Sequence, residues 1–275
     1  MKNKALIVQN LCFDYMEVLS SKKTVKPSFL NLNGLFGAVF ENKKKEIFKN
    51  LSFSVNIGET ICIAGPSGHG KSAFLKIVAG IVKPQRGDFY YFGEYLPLER
   101  FSALEVAERQ VGLVFQNGAL ISNLRVRDNI ALPLRYHGRY SESEVKEKVN
   151  MAMDLMRVRG EADHFPHTLS VGVKKRVAIA RAWAMDPKLL LLDEPTSGLD
   201  NYNRNNLLPL IDNMRQLFNT TIVIVTHDLL LAEELNSDLV FLQNQKFTAP
   251  KSFNEWLNSE ESVPRELFRN IRTVF

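Results

Sequence analysis

Gly65-Pro66-Ser67-Gly68-His69-Gly70-Lys71-Ser72 lies between a compact apolar run, Thr60 to Ala64, and the residues Ala73, Phe74, Ile77, Val78 and Ile81, which recur at helical spacing. The order predicts a strand, a glycine-rich turn and a helix. The eight residues fit the pattern GxxxxGK[ST], and they do so in the context that the pattern requires. Glycines let backbone N–H groups turn inward around a polyanion, where a side chain would block the approach. A helix beginning near Gly70 adds the positive end of its dipole. Lys71 is placed to reach the β- and γ-phosphates of a nucleoside triphosphate, and the Ser72 hydroxyl to coordinate Mg²⁺. The expected nucleotide contacts are therefore Gly65, Pro66, Ser67, Gly68, His69, Gly70, Lys71, Ser72 and Ala73. Of these, His69 stands at a variable position and contributes as part of the loop, not as a ligand. A chance match in a chain of this length is about a 1% event, so triphosphate binding is the reading. The motif does not choose among kinases, GTPases and ATPases.

Outward from this loop, Leu189-Leu190-Leu191-Leu192-Asp193-Glu194 places two carboxylates at the end of a buried strand. Asp193 suits a contact to Mg²⁺ through its water shell, and Glu194 can polarise a water that attacks the γ-phosphate. Taken alone, the pair also reads as an ordinary strand end before an acidic turn. The runs Leu189 to Leu192 and Ile222 to Val225 are continuously apolar, as in parallel strands covered on both faces. Val111 to Phe115 reads as a further strand leading to Gln116, and Leu6 to Phe13 and Ile47 to Val55 as two more. From about 117 the character becomes helical. Ser141-Glu142-Ser143-Glu144 is a capping-box signature, followed by Val145, Val149, Ala152 and Met156 at helical spacing. Met151, Met153 and Met156 read as core filling. Val173 to Met185 is a predicted helix that Pro187 closes. Alternating strands and helices give an α/β fold with a helical insert from about 117 to 175. Between the first two strands, about 16 to 45, lysines and a proline mix with the apolar run Leu35 to Phe40. This segment reads either as a surface excursion or as a docking element for a partner or a lipid surface.

Composition narrows the setting. The chain has 275 residues, 45% hydrophobic and 24% charged, enough for a packed core. No stretch approaches the ~18 apolar residues of a membrane span, and the N-terminus lacks a secretory pattern. Membrane work would then require another subunit to span the bilayer. Cys12 and Cys62 stand alone among apolar neighbours and read as small buried hydrophobes. A net charge of +5 suits anionic partners, but gives no reason to expect direct nucleic-acid binding.

Over about residues 45 to 245 the sequence resembles the ABC ATPases. Gln116 matches the Q-loop, Leu169-Ser170-Val171-Gly172-Val173 stands in the place of the LSGGQ signature, Ser197-Gly198-Leu199-Asp200 looks like the D-loop and Thr226-His227-Asp228 like the switch-histidine region. The resemblance implies a P-loop NTPase (RecA-like) core with a mainly parallel sheet, an N-terminal antiparallel β part and an inserted α-helical subdomain. It implies an ATPase domain over 1–250, with its core at 1–116 and 176–250, the helical subdomain near 117–175, the insertion near 16–45 and a tail at 251–275. ATP and Mg²⁺ are the implied cofactors. Gln116 would contact Mg²⁺ beside Ser72 and Asp193. Glu194, His227 and Lys71 would be catalytic, while Ser170, Gly172 and Asp200 would serve nucleotide held by a second copy, so that the chain acts as a homodimer.

Val171 replaces the family's usual glycine and Val173 its common glutamine. A β-branched residue restricts φ to negative values and adds bulk at a surface of close approach, which implies a working but slowed site. An adenine-stacking aromatic is expected as well: Tyr15 fits by its place after the first strand, Phe40 by its distance from the loop, and Tyr15 is preferred. Phe115 to Leu120, Val126, Asp128 to Ala131, Leu132 to Arg135 and Lys174 to Ala178 look like the Mla-type (MlaF-like) lipid-transport ATPases. That likeness implies an integral membrane permease, an MCE-domain protein, a STAS-domain subunit as a further partner, phospholipid cargo, and a peripheral position on the cytoplasmic face of the inner membrane. The alternative is a regulatory ABC ATPase of the cell-division type, acting on a membrane partner without moving cargo.

Overall fold

The computed structural model describes residues 3–20, 40–261 and 267–268, with the side chains of 16–20 and 40–44 left aside. Two sheets organise it. Strands β1 (Lys4–Ser20), β2 (Phe40–Asn56), β4 (Arg86–Tyr91) and β5 (Glu94–Leu96) form an antiparallel sheet in the order β2-β1-β4-β5. The second sheet runs β10-β9-β3-β8-β7-β6, built from β3 (Thr60–Ala64), β6 (Val111–Val114), β7 (Leu189–Asp193), β8 (Thr221–Val225), β9 (Asp238–Gln243) and β10 (Lys246–Phe247). All its pairings are parallel except β10 with β9. A parallel sheet needs crossover segments, and these put helices over its faces. Alternation along β7 shows the result. Leu190 and Leu192 enter one core beneath the helices, while Leu189 and Leu191 enter the other, shared with the antiparallel sheet. Both faces are apolar because both are covered.

Helices α1 (Lys71–Val78) and α2 (Ala103–Glu108) sit with the second core; α3 (Val126–His137), α4 (Glu142–Leu155), α5 (Val171–Trp183), α6 (Asn201–Phe218), α7 (Leu230–Glu234) and α8 (Phe253–Leu257) sit with the first. The Ser141–Glu144 capping box opens α4. Val145, Val149, Ala152, Met153 and Met156 line its buried face, but Met151 is exposed, because residue 151 falls on the opposite side of the helix from 149, 152 and 156. Cys12 is likewise half-buried on β1; only Cys62 is enclosed. The helix after the phosphate loop stops at Val78, which leaves Ile81 exposed.

The segment expected between the first strands is partly strand itself. Pairing of β1 with β2 continues from Phe13↔Phe48 out to Ser20↔Phe40, so both ends of the 16–45 stretch are arms of one hairpin. Neither Met16 to Ser20 nor Phe40 to Lys45 shows a regular apolar alternation, which is why these arms escaped the strand reading. The apolar run 35–40 lies outside the described residues except for the backbone of Phe40.

Candidate active site

The loop between β3 and α1 closes on itself through Lys71. Its side chain is buried, and the ammonium donates to the carbonyls of Gly65 at 2.7 Å and Pro66 at 2.9 Å. Burial pushes this ammonium below the ordinary lysine range, while Glu194 and Asp193 pull it back. A partly desolvated cation beside a helix N-terminus is suited to exchange carbonyl partners for phosphate oxygens. Gly65 is buried, Pro66 and Gly70 are half-buried, and Ser67, Gly68 and His69 face solvent; Ser72 and Ala73 are half-buried on the first turn of α1. The His69 ring turns back on its own loop, with Nδ1 3.1 Å from the Ser67 carbonyl. Gly70 carries a constraint that the motif does not reveal: a Cβ there would sit 2.5 Å from Cγ2 of Ile47 and 2.9 Å from the Phe48 ring. Strand β2 closes over the loop, and a glycine is what lets it do so.

On the other side of α1, Ser72 Oγ donates to Asp193 Oδ1 at 2.8 Å. Asp193 ends β7, and burial raises its carboxyl pKa, opposed by the Ser72 bond. The next residue, Glu194, has φ +50°, uncommon for a residue with a side chain. Its N–H donates to Val225 on β8 at 2.9 Å, and this turn points the carboxylate at His227, whose Nδ1 lies 2.7 Å from Glu194 Oε2. An ionised carboxylate only accepts, so against such a partner this contact requires the proton of the imidazole on Nδ1. The pair is asymmetric in exposure, Glu194 at 12% and His227 at 69%. A carboxylate in this position can order and polarise a water beside the loop.

Gln116 follows β6 and is exposed. Among the described residues no hydrogen bond joins its side chain to Ser72 or Asp193. Its carbonyl is instead held by Lys175. Ser170, Gly172 and Asp200 form a separate group. Ser170 caps α5, accepting from Val173 N at 3.3 Å, and Asp200 caps α6, accepting from Asn203 N at 2.7 Å. No hydrogen bond among the described residues connects this group to the phosphate loop. Val171 is the first residue of α5, where a negative φ is required in any case, and its side chain is 52% exposed. The close approach expected there occurs one residue on, at Gly172. Tyr15 is exposed on β1 opposite Lys45, whereas Phe40 pairs with Ser20 and its side chain lies outside the described residues.

Sequence reasoning passed over four residues that hold the site together. Lys175 and Arg181 reach from α5 to the loop after β6, with Arg181 donating to Gly118 O at 2.7 Å and Ala119 O at 2.8 Å. The signal was there for Lys175: it falls on the face of α5 that carries buried Gly172 and Ile179. Asn129, fully buried, braces the turn before α3 through Ile121, Leu124 and Arg125. Arg204 ties α6 to Asp228, next to His227, at 2.9 Å.

The family model "ABC transporter" matches residues 48–197. The lipoprotein-releasing system ATP-binding protein LolD 1 of Chlorobium chlorochromatii is 33% identical over 224 residues, covering 81% of this chain and 89% of that protein. The intermembrane phospholipid transport system ATP-binding protein MlaF of Haemophilus influenzae is 32% identical over 233 residues, 84% and 88% of the two chains. Among solved structures, the dimeric post-hydrolysis state of the ATP-binding cassette MJ0796 bound to ADP and Pi superposes with a TM-score of 0.73 at 26% identity, over 90% of this chain and 98% of that one. The matched segment takes in the phosphate loop, Gln116 and the Asp193–Glu194 pair, and the chain belongs to the ABC transporter family as one of its ATP-binding, ATP-hydrolysing subunits.

Proposed function

We propose that this subunit powers movement of a phospholipid or related lipid, working as two copies bound to an integral membrane permease on the cytoplasmic face of the inner membrane, with an MCE-domain protein and a STAS-domain subunit in the complex. The observation that carries the lipid reading is the match over most of the chain to an intermembrane phospholipid transport ATPase. The Phe115 to Arg135 stretch, which forms the loop after β6 and most of α3, supports it. The lipoprotein-releasing relative matches about as well, so cargo is the quantity to test. Purification of the native complex followed by mass spectrometry of its proteins and lipids is expected to find an MCE-domain protein and glycerophospholipid. A complex that carries lipoprotein and no MCE protein would overturn the reading.

In the mechanism, the triphosphate lies on the backbone N–H groups of residues 65 and 67 to 73, Pro66 having none, and Lys71 gives up its loop carbonyls to hold the β- and γ-phosphates. The Ser72–Asp193 contact offers two hard oxygen donors in one place, a fit for Mg²⁺. With Gln116 these residues would hold the ion, which neutralises phosphate charge when bound. Glu194 orients the attacking water and takes its proton, and His227 fixes the Glu194 carboxylate and faces the γ-phosphate. Tyr15 or Phe40 stacks on adenine. Ser170, Gly172 and Asp200, set apart from the chain's own loop, complete the site of the second copy. Two head-to-tail copies thus make two sites.

A further inference from the structure

Lys175 lies on the second turn of α5 and is 5% exposed, an expensive place for a cation unless every donor is used. An ammonium has three donors and no acceptor. Three oxygens surround this one: the Gln116 carbonyl at 2.5 Å, the Glu194 carbonyl at 2.7 Å and the Ser197 hydroxyl at 3.5 Å. They belong to two loops, Gln116 to the one after β6 and Glu194 with Ser197 to the one between β7 and α6, and α5 supplies the cation from the helix that Ser170 caps. The Glu194 peptide is strained and is tied at both ends. Its left-handed backbone costs on the order of 1 kcal/mol, and it is held on one side by its N–H to Val225 and on the other by its carbonyl, which accepts from Lys175 at 2.7 Å and from the Ser197 N–H at 3.3 Å.

We infer that Lys175 is a positioning residue for ATP hydrolysis, whose ammonium fixes the Glu194 peptide, and through it the Glu194 carboxylate, to the loop at Gln116 and the turn at Ser197. The inference rests on the reading of Glu194 as the group that activates water. It gives α5 a second task beyond presenting its N-terminus: movement of the Gln116 loop is transmitted to Glu194 through one nitrogen, without a contact between the two side chains. Arg181, on the same helix, anchors the far end of the same loop but has no bond to Glu194, and so serves as the control.

The test uses the full chain assembled in its transporter complex, with kcat, ATP affinity and thermal midpoint measured for Lys175→Met, Lys175→Arg, Glu194→Gln, the double variant Lys175→Met/Glu194→Gln and the control Arg181→Met. Methionine keeps the length and loses the donors. We expect kcat to fall between about ten- and a hundredfold, with ATP affinity within about threefold of the parent. Lys175→Arg, which keeps a charged donor, should recover part of the loss, and it carries the test if the methionine variant does not fold. If Lys175 acts through Glu194, its replacement costs little once Glu194→Gln is present. Losses that multiply in full, an unchanged kcat in Lys175→Met, or a kcat loss matched by Arg181→Met would each overturn the inference. Failure of the Glu194 reading is separate and shows as normal turnover in Glu194→Gln alone.

Discussion

Gly172, at the start of α5, faces Asn203 on α6 so closely that a Cβ at 172 would lie 2.5 Å from Asn203 Oδ1 and 2.7 Å from its Cγ. Asn203 cannot retreat freely, because its N–H and side-chain amide both bond to Asp200. Helices α5 and α6 therefore touch at their N-terminal turns within one chain, and glycine at 172 is what allows it. Gly172→Ala should lower stability by about 1–3 kcal/mol through overpacking and reduce ATP turnover, with nucleotide affinity nearly unchanged. Pairing it with Asn203→Ala should restore part of both. Denaturant melts and phosphate release on the two variants check this.

Val171 makes the opposite prediction. Val171 is half-exposed on the first turn of a helix, and its Cγ1 would stand in ordinary contact, 4.0 Å, with a Cβ placed on Gly198. Val171→Gly should change stability by no more than about 1 kcal/mol and leave the turnover of the assembled complex equal or higher. A fall in turnover would mean that valine contributes to the interface with the second copy.

These two positions show what the sequence made legible and what it did not. The strand–loop–helix at 60–78 and the buried runs at 189–192 and 222–225 could be read directly, because phosphate loops and doubly covered strands each leave a local pattern. Placement of Ser72 beside Asp193, 121 positions apart, followed from the motif pair. The rest depends on contacts between elements distant in sequence. Gly70 against Ile47, Gly172 against Asn203 and Lys175 against two loops are packing facts that no local spacing encodes. The arms of the β1–β2 hairpin were hidden for a related reason, since neither Met16 to Ser20 nor Phe40 to Lys45 carries a regular apolar alternation, and only the pairing of the two strands reveals them.

The Glu194–His227 bond and the Lys71 contacts separate two functions. Glu194→Gln retains size and hydrogen bonding but cannot accept a proton, so kcat should fall by at least about a hundredfold while ATP still binds and two-copy complexes accumulate. Lys71→Ala removes the one cation inside the loop and should weaken ATP affinity by roughly ten- to a hundredfold, the range of a charge-assisted hydrogen bond. Equilibrium binding of a fluorescent ATP analogue, set beside steady-state hydrolysis, distinguishes the two patterns.

Arg204 joins three segments of the chain near His227. Its side chain is 14% exposed and donates to Asp228 at 2.9 Å and to both Glu234 oxygens at 2.7 Å. Arg204→Met would leave two carboxylates facing each other without a cation. Glu234 is 39% exposed, so water offsets part of the loss. The expected cost is about 1–3 kcal/mol, below that of breaking a fully buried pair. Urea unfolding measures it. The variant should also lower kcat, because Asp228 adjoins His227; unchanged stability would show that the network is solvated.

Cys62 and Cys12 should behave as different chemical species. Cys62 sits within β3, and burial pushes its thiol from 9.0 up to about 12, only partly offset by the Ser237 hydroxyl 3.3 Å away. Thiolate is the reactive form, so at pH 8 this thiol is about a ten-thousandth ionised, as well as shielded. Cys12 is half-buried and reachable. Iodoacetamide at pH 8 should therefore modify one thiol in the native chain and two in urea, with the second rate tracking unfolding. The shift also has a sign in stability. Below pH 9 the thiol is protonated in both states and contributes no pH dependence. Between about 9 and 12 the unfolded chain loses the proton while the folded chain keeps it, so Cys62 lowers stability as pH rises, by at most about 1.4 kcal/mol per unit. Cys62→Ala should flatten that part of the profile, and a wild-type and variant pair with the same slope from pH 9 to 11 would show that the thiol is not the group responsible.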